Sequence, residues 1–471
     1  MNILIAMPRI VNNAGEAYQF PLGLPYVSAA LKKAKFRIFT INLNHYNDTV
    51  RNLLISQIEE HDIDIVMTGG LSFQFWSIYQ IVEIVKKYNE DIITIVGGGL
   101  ITSDPEAAME ALKYVDIGVI GEGEITVPEL CERLVNGKLY TDVAGLILKD
   151  KKYFRTPPRP PIDDLDSIPW PDFDGFGLDK TFDSTASISG LNSKRTIYML
   201  ASRSCPFQCS FCFHTVGRKY RQRSLDSFFS ELEFYLSKYQ VEYVCIEDEL
   251  FSYNSDRIRD FCERIKKYNI HWWTQFRVDM VEPWLTQLLK ESGCDVMSFG
   301  LESADNRVLK SMGKHTTIEQ IESTLSKVVS EGMHIEGAFI FGDTAETYET
   351  ANNTLSFWLN HPQYRIGLNV ITIFPGSPLY WKAVKVGAIK NRAKYLREGC
   401  PQINITQMNK EEFLDIISKC MSYPYMRVHS LTNYEVLSID YSKARVDLKS
   451  TCDFCGTENV WEKSDCVSDF V

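Results

Sequence analysis

Cys205, Cys209 and Cys212 stand in the segment Cys205-Pro-Phe-Gln-Cys209-Ser-Phe-Cys212, with the spacing C-x3-C-x2-C. Three thiolates hold three irons of a [4Fe-4S] cubane and leave the fourth open to an external ligand, whereas electron-transfer clusters usually have four cysteine ligands. An open iron means substrate chemistry. Zinc is the alternative for the same segment, because Cys205, Cys209, Cys212 and His214 form a Cys3His set. Farther along, a carboxylate at Glu247 or Glu249 suits an ammonium group and Arg277 suits a carboxylate. The run Arg218, Lys219, Arg221, Arg223 beside the cysteines reads as a solvated loop rather than an anion site.

The chain that must position these groups has 471 residues, enough for two or three domains. Its net charge of −11 argues against a general basic surface for nucleic acid, so a small-molecule or peptide substrate fits better. Met1-Asn2 leads into the short run ILIAM and then Pro8, which is not a signal peptide. No stretch approaches the roughly 18 uninterrupted apolar residues of a membrane span. A cytoplasmic protein is the expectation, and its twelve cysteines then read as metal ligands, redox groups or buried hydrophobes rather than disulfides. Cys131, Cys245, Cys262 and Cys294, each alone in an apolar segment, belong to the last group.

Short β-branched runs at Asn2–Met7, Arg37–Leu43, Ile63–Gly69, Ile92–Gly97 and Ile117–Gly121 alternate with amphipathic stretches, the pattern of a doubly wound parallel sheet over residues 1–149. Ligands of such sheets bind at the carboxyl ends of the strands. Those ends carry Gly69-Gly70, Gly97-Gly98-Gly99 and Gly121-Glu122-Gly123-Glu124, where glycine admits a bulky ligand close to the backbone. No G-x-G-x-x-G follows the first strand, which weakens a dinucleotide reading. Residues 150–194 turn rich in Pro and Asp and read as an extended linker, pinned by Trp170, Phe173 and Phe176. Six more strands then alternate with helices over residues 195–387, consistent with an incomplete TIM-like barrel whose chemistry sits at the strands' C-terminal ends. The cysteines lie just past the first of these strands. Residues 388–471 read as a helical region with a tail holding Cys452, Cys455 and Cys466; Cys452-Asp-Phe-Cys455-Gly456 has the knuckle form, and a zinc knuckle, an auxiliary iron–sulfur site and a free, flexible tail are all open.

C-x3-C-x2-C on the first strand of a six-unit βα barrel resembles the radical S-adenosylmethionine (SAM) superfamily, whose open iron chelates the amine and carboxylate of SAM. By that resemblance Phe211, Glu247-Asp248-Glu249, Gln275, Arg277, Glu302-Ser303 and Phe341, within Gly337-Ala-Phe-Ile-Phe-Gly342, are the SAM contacts. The amino-terminal half adds Pro21-Leu22-Gly23-Leu24-Pro25-Tyr26, Val96-Gly97-Gly98-Gly99, Val115-Asp116, Gly121-Glu122-Gly123-Glu124 and the later Asp164-Leu165-Asp166-Ser167-Ile168-Pro169. These resemble the cobalamin-binding class of radical SAM enzymes, over residues 1 to about 385 on the domain sizes expected here. The resemblance implies cobalamin near Gly69, Gly70, Leu71 and Ser72, Gly97, Gly98 and Gly99, and Gly121, Glu122, Gly123, Glu124 and Thr126. The lower-ligand motif D-x-H-x-x-G is missing, and of the two histidines in this half, His45 and His61, neither has that context. His45 reads as a polar loop residue.

The resemblance implies a methyltransferase acting on an unactivated carbon, less often on phosphorus, through a 5′-deoxyadenosyl radical and methylcobalamin, with an electron donor such as flavodoxin or ferredoxin. An enzyme of the same architecture without net methylation, catalysing cyclisation, ring contraction or rearrangement, is the second reading. A tRNA methylthiotransferase would bring extra amino-terminal cysteines, and this half has only Cys131. A non-catalytic cobalamin or iron–sulfur sensor would have no need for the charged positions on several barrel strands.

Overall fold

The structure is a computed structural model that describes residues 1–149, 153–182, 195–426, 434–440, 445–451 and 458–465. The first sheet runs β1 (Asn2–Met7), β2 (Arg37–Asn42), β3 (Ile63–Gly69), β4 (Ile93–Gly97), β5 (Ile117–Val119), β6 (Leu146–Lys149) and β7 (Tyr153–Arg155), in the spatial order β2-β1-β3-β4-β5-β6-β7. The first five strands are parallel and the last two antiparallel. That is the doubly wound α/β topology, with helices such as Gly23–Lys33 and Phe75–Tyr88 between the strands. The core strands read ILIAM and IVMTG because both faces are covered, as parallel sheets require. Gly121 takes φ +78° after β5, a turn that an L side chain resists, and starts the helix Gly123–Val135. The pair β6 and β7 was not expected. It carries the sheet past residue 149 into the segment read as linker, because Thr156 caps it by donating to and accepting from Leu146.

Residues 157–182 form a strap laid on both halves of the molecule. Phe173 and Phe176 are buried, whereas Trp170 is partly exposed. Asp172 receives Ser28 Oγ at 2.6 Å and Lys32 Nζ at 2.6 Å, and Tyr235 donates to the Pro171 carbonyl.

Beyond the strap come β8 (Thr196–Met199), the two-residue pair β9 (Ser202–Arg203) and β10 (Arg221–Gln222), then β11 (Tyr243–Ile246), β12 (His271–Phe276), β13 (Cys294–Glu302), β14 (His334–Phe341) and β15 (Arg365–Val370). The parallel order β15-β14-β13-β12-β11-β8 is an open six-stranded sheet, the partial barrel expected. Exposure alternates along β12 and β15. Trp272, Thr274 and Phe276 are buried, whereas Trp273 is half-buried and Gln275 exposed. Cys245 and Glu336 likewise lie on the accessible face, so Cys245 is not the buried hydrophobe expected; Cys131, Cys262 and Cys294 are. This accessible concave face is the lumen.

The carboxyl-terminal region was expected to be helical. Helices Pro378–Lys385, Arg392–Arg397 and Lys410–Met426 are there, but a three-stranded antiparallel sheet follows: β16 (Tyr434–Asp440), β17 (Arg445–Thr451) and β18 (Glu458–Asp465). The alternation in YEVLSID and RVDLKST is its signature. Cys452, Cys455 and Cys466 lie outside the described residues. Among the described residues, no helix is long and apolar enough to cross a membrane.

One buried acid sets a pH dependence. Glu346, 1 % exposed, accepts the Gly342 N–H at 2.6 Å, and burial pushes its carboxyl up to about 8. The folded state therefore holds this proton at pH values where the unfolded chain has lost it, so stability falls as pH rises from about 4.5 to about 8. Glu346→Gln keeps the acceptor and removes the charge. Thermal unfolding should show the variant gaining on the wild type as pH rises through that window, by about 1.4 kcal/mol for each pH unit. Parallel pH profiles would contradict this.

Candidate cofactor site between sheet ends and barrel mouth

The cysteine loop, residues 204–220, is tied off at its stem by antiparallel pairing of Arg203 with Arg221. Its floor is the turn after helix Asn306–Ser311: the Ser210 N–H donates to the Met312 carbonyl at 2.8 Å, and Cys209 Sγ lies 4.0 Å from the Gly313 carbonyl. Cys209 is buried, Cys205 half-buried and Cys212 exposed. Burial pushes the Cys209 thiol above its usual range, while Lys314 and Arg277 favour its thiolate. Lys314 and Arg277 beside Cys209 suit an anionic ligand there, while among the described residues no three Cys, His, Asp or Glu side chains stand at metal-ligand spacing. His214 Nδ1 pairs with Glu249 Oε2 at 2.7 Å, which fixes the orientation of its ring. Ser204, Glu302 and His315 around this loop all take left-handed backbone conformations, at φ +70°, +66° and +58°. Strain of this kind, of order 1–3 kcal/mol each, gathers at functional sites.

The residues expected to hold SAM divide into two groups. Phe211, Glu247, Glu249 and Gln275 reach the lumen or the loop and stay at least partly accessible. Gln19, from the loop after β1, donates to Glu247 Oε2 across the barrel mouth. Burial pushes the Glu247 carboxyl up to about 7 against that hydrogen bond. The other expected contacts are committed within the protein. Asp248 accepts Ser202 Oγ at 2.6 Å and the Ala201 N–H at 2.7 Å. Arg277 chelates Asp279, donates to the Lys314 carbonyl at 2.7 Å and lies over the Phe207 ring. Ser303 bonds Thr354, and Phe341 is core. Glu302 pairs with Lys314 Nζ at 2.6 Å, both side chains buried.

Lys314 was missed from the sequence; its only signal was its place on a glycine turn, Gly313-Lys314, far from the cysteines in the chain. Lys314→Met leaves Glu302 buried without its counter-ion, and about 3–5 kcal/mol of stability should be lost. The double variant Lys314→Met, Glu302→Met should recover most of it, read as the midpoint of thermal unfolding. A neutral single variant would contradict the pairing.

At the sheet ends the glycines serve loop-to-loop contact. A Cβ on Gly69 would lie 2.8 Å from the Gly97 carbonyl oxygen, and one on Gly98, at φ +81°, 2.8 Å from that of Gly70. A Cβ on Gly99 would meet Leu71 at 2.5 Å and Thr215 of the cysteine loop at 3.0 Å. The two loops thus form a thin floor bearing the exposed Leu71 and Phe73 beside the cysteine loop. A Cβ on Gly70 would meet the Gln74 side chain, so these glycines let the two loops pack directly on one another. Ser72 and Thr126 are buried, the latter donating to the Glu122 carbonyl. Glu122 and Glu124 are taken by arginines: Arg203 reaches Glu122 at 2.7 Å and Glu124 at 2.6 Å, and Arg221 reaches Glu122 at 2.8 Å. Arg221 and Arg223 are therefore buried pairing residues, not the solvated run expected. His45 bonds Tyr18 Oη at 2.8 Å, the structural role expected.

A doubly wound α/β sheet whose strand ends abut a three-cysteine loop on a partial barrel is the architecture of a cobalamin-binding radical SAM enzyme. Residues 8–131 match the B12 binding domain family and residues 199–357 the radical SAM superfamily, and the chain belongs to the radical SAM enzymes that bind cobalamin. The two matched families name B12 and SAM as the cofactors of such a chain. It is 28 % identical over 449 residues to an uncharacterised methyltransferase of Pyrococcus horikoshii, spanning 91 % of this chain and 93 % of that protein. It is also 28 % identical over 344 residues to the anaerobic magnesium-protoporphyrin IX monomethyl ester cyclase of Rubrivivax gelatinosus, spanning 71 % and 61 %. Among solved structures, the radical SAM methyltransferase TsrM of Kitasatospora setae, with cobalamin and a [4Fe-4S] cluster bound, shares the fold at TM-score 0.68 and 17 % identity, covering 82 % of this chain and 78 % of that one.

Proposed function

We propose that the chain is a cobalamin-dependent methyltransferase that methylates an unactivated carbon, less often phosphorus, of a small molecule or peptide through a radical. The observation that supports this reading is the approach of Gly99 to Thr215 of the cysteine loop, with room for no more than a methyl group between them, which would set both cofactors at one mouth. When bound, the cluster and SAM supply a 5′-deoxyadenosyl radical and cobalamin supplies a methyl group. Cys205, Cys209 and Cys212 hold the cluster, Glu249 stays oriented by His214, and Glu247 offers a carboxylate to an ammonium group. Gln275, Ser298 and Glu336, in register across β12, β13 and β14, line the lumen where the substrate is held. Gln19 reaches over the mouth and limits access of water. An electron donor of the flavodoxin or ferredoxin type reduces the cluster.

The second reading, cyclisation or rearrangement without net methylation, is favoured by the likeness to the cyclase. SAM labelled in its methyl group separates the two. Transfer of label to bound cobalamin and then to product is the expected result; label recovered in methionine in step with 5′-deoxyadenosine, with none in cobalamin or product, would favour rearrangement.

A further inference from the structure

We infer that Glu122 is a positioning residue that couples cobalamin binding to the geometry of the cysteine loop, an inference that rests on the cofactor placement proposed above. Arg203 and Arg221 face each other as directly paired residues at the neck of loop 204–220, which carries all three cysteines. Like charges in that position repel and are costly to bury. Both are buried nonetheless, at 8 % and 5 % exposure, because one carboxylate lies between them. Glu122 Oε1 accepts Arg203 Nη1 at 2.7 Å, and its two oxygens accept Arg221 Nη1 at 2.9 and 2.8 Å. The Ile162 N–H of the strap adds 2.7 Å to Glu122 Oε2, and Arg221 Nη1 reaches the Ile162 carbonyl at 2.6 Å.

This counter-ion does not belong to the barrel. Glu122 follows Gly121 in the loop after β5 and precedes helix Gly123–Val135, so its position follows that of the sheet ends. Glu124, two residues on, holds the other arm of Arg203. The neck therefore closes fully only when the β5 loop is in place. Arg221 Nη2 also donates to the Val216 carbonyl at 3.2 Å, and Ser204 Oγ to that of Gly217, which extends the effect into the loop. A cofactor that orders the β5 loop thereby orders the cysteine loop, and Glu122 touches neither cofactor in doing so.

Hydrogen exchange of the full chain with its cluster reconstituted, with and without hydroxocobalamin, tests this. In the wild type, hydroxocobalamin should slow exchange at residues 69–74 and 97–102 and also across 204–220. In Glu122→Gln, exchange at 69–74 and 97–102 should still slow, while the response of 204–220 falls at least tenfold. Glu122→Asp, which keeps the charge, should restore it. Glu124→Gln cuts only one arm and should give a partial loss, which keeps the test open if Glu122→Gln does not fold. The EPR signal of the reduced cluster should respond to hydroxocobalamin in the wild type and not in Glu122→Gln. An undiminished response of 204–220 in Glu122→Gln, or none in the wild type while 69–74 responds, would overturn the coupling. No response at 69–74 or 97–102 in the wild type would overturn the cobalamin placement itself, and the coupling with it.

Discussion

Cys209→Ala is expected to abolish formation of 5′-deoxyadenosine from SAM in the reconstituted, reduced protein. Cys209 is the most buried of the three cysteines of its loop and the one beside Lys314 and Arg277, so its loss removes the ligand whose thiolate its surroundings favour. Three cysteines leave an iron open, and two do not hold the cubane in place. The control is Cys131→Ala, a buried cysteine of the first sheet's core, which should cost stability and leave 5′-deoxyadenosine formation intact. Chromatographic assay of 5′-deoxyadenosine decides the matter, and unchanged production by Cys209→Ala would overturn the site.

The second large effect is expected at Gly98. Valine there would have to adopt φ +81° with a branched side chain whose Cβ starts 2.8 Å from the Gly70 carbonyl oxygen. Backbone strain of about 1–3 kcal/mol adds to a similar cost of forcing two loop backbones apart. If about 3 kcal/mol of that is relieved by spreading the floor, cobalamin binding should weaken about a hundredfold. Gly121→Ala isolates the strain, since it also has positive φ but nothing within 4 Å, and it should weaken binding less than tenfold. Absorbance titration with hydroxocobalamin measures both. Equal, small effects would mean that the Gly70–Gly98 contact does not shape the site.

Much of the fold was legible because periodicity reports burial. ILIAM is apolar throughout and IVMTG nearly so, and further short β-branched or aromatic runs recur between amphipathic helices, so sheet and barrel could be read from local pattern. The β6–β7 pair escaped because it is short and lies where prolines announce a linker. The sheet after residue 434 escaped because its strands alternate without a buried apolar face, so their pattern is weak beside the cysteine spacing around them.

At the site, the cysteines were legible because a metal cluster demands spacing within one loop. Charged side chains were harder, since a carboxylate looks the same in sequence whether it meets a ligand or an arginine. Glu122 and Glu124 stand among the glycines expected to hold cobalamin, yet their partners, Arg203 and Arg221, lie about eighty to a hundred residues away in the chain. Asp248 and Arg277 stand at strand ends as expected, but Ser202 and Asp279 already satisfy them. Lys314 is invisible without the turn that carries it under Cys209. Pairing across such separations is a property of the folded chain.

The central claim is that this chain holds a cluster with an iron open to SAM. EPR of the dithionite-reduced, reconstituted protein tests it, recorded with and without SAM. An S = 1/2 [4Fe-4S]+ signal whose g values shift when SAM is added is the predicted result. A cluster signal that SAM leaves unchanged would contradict it.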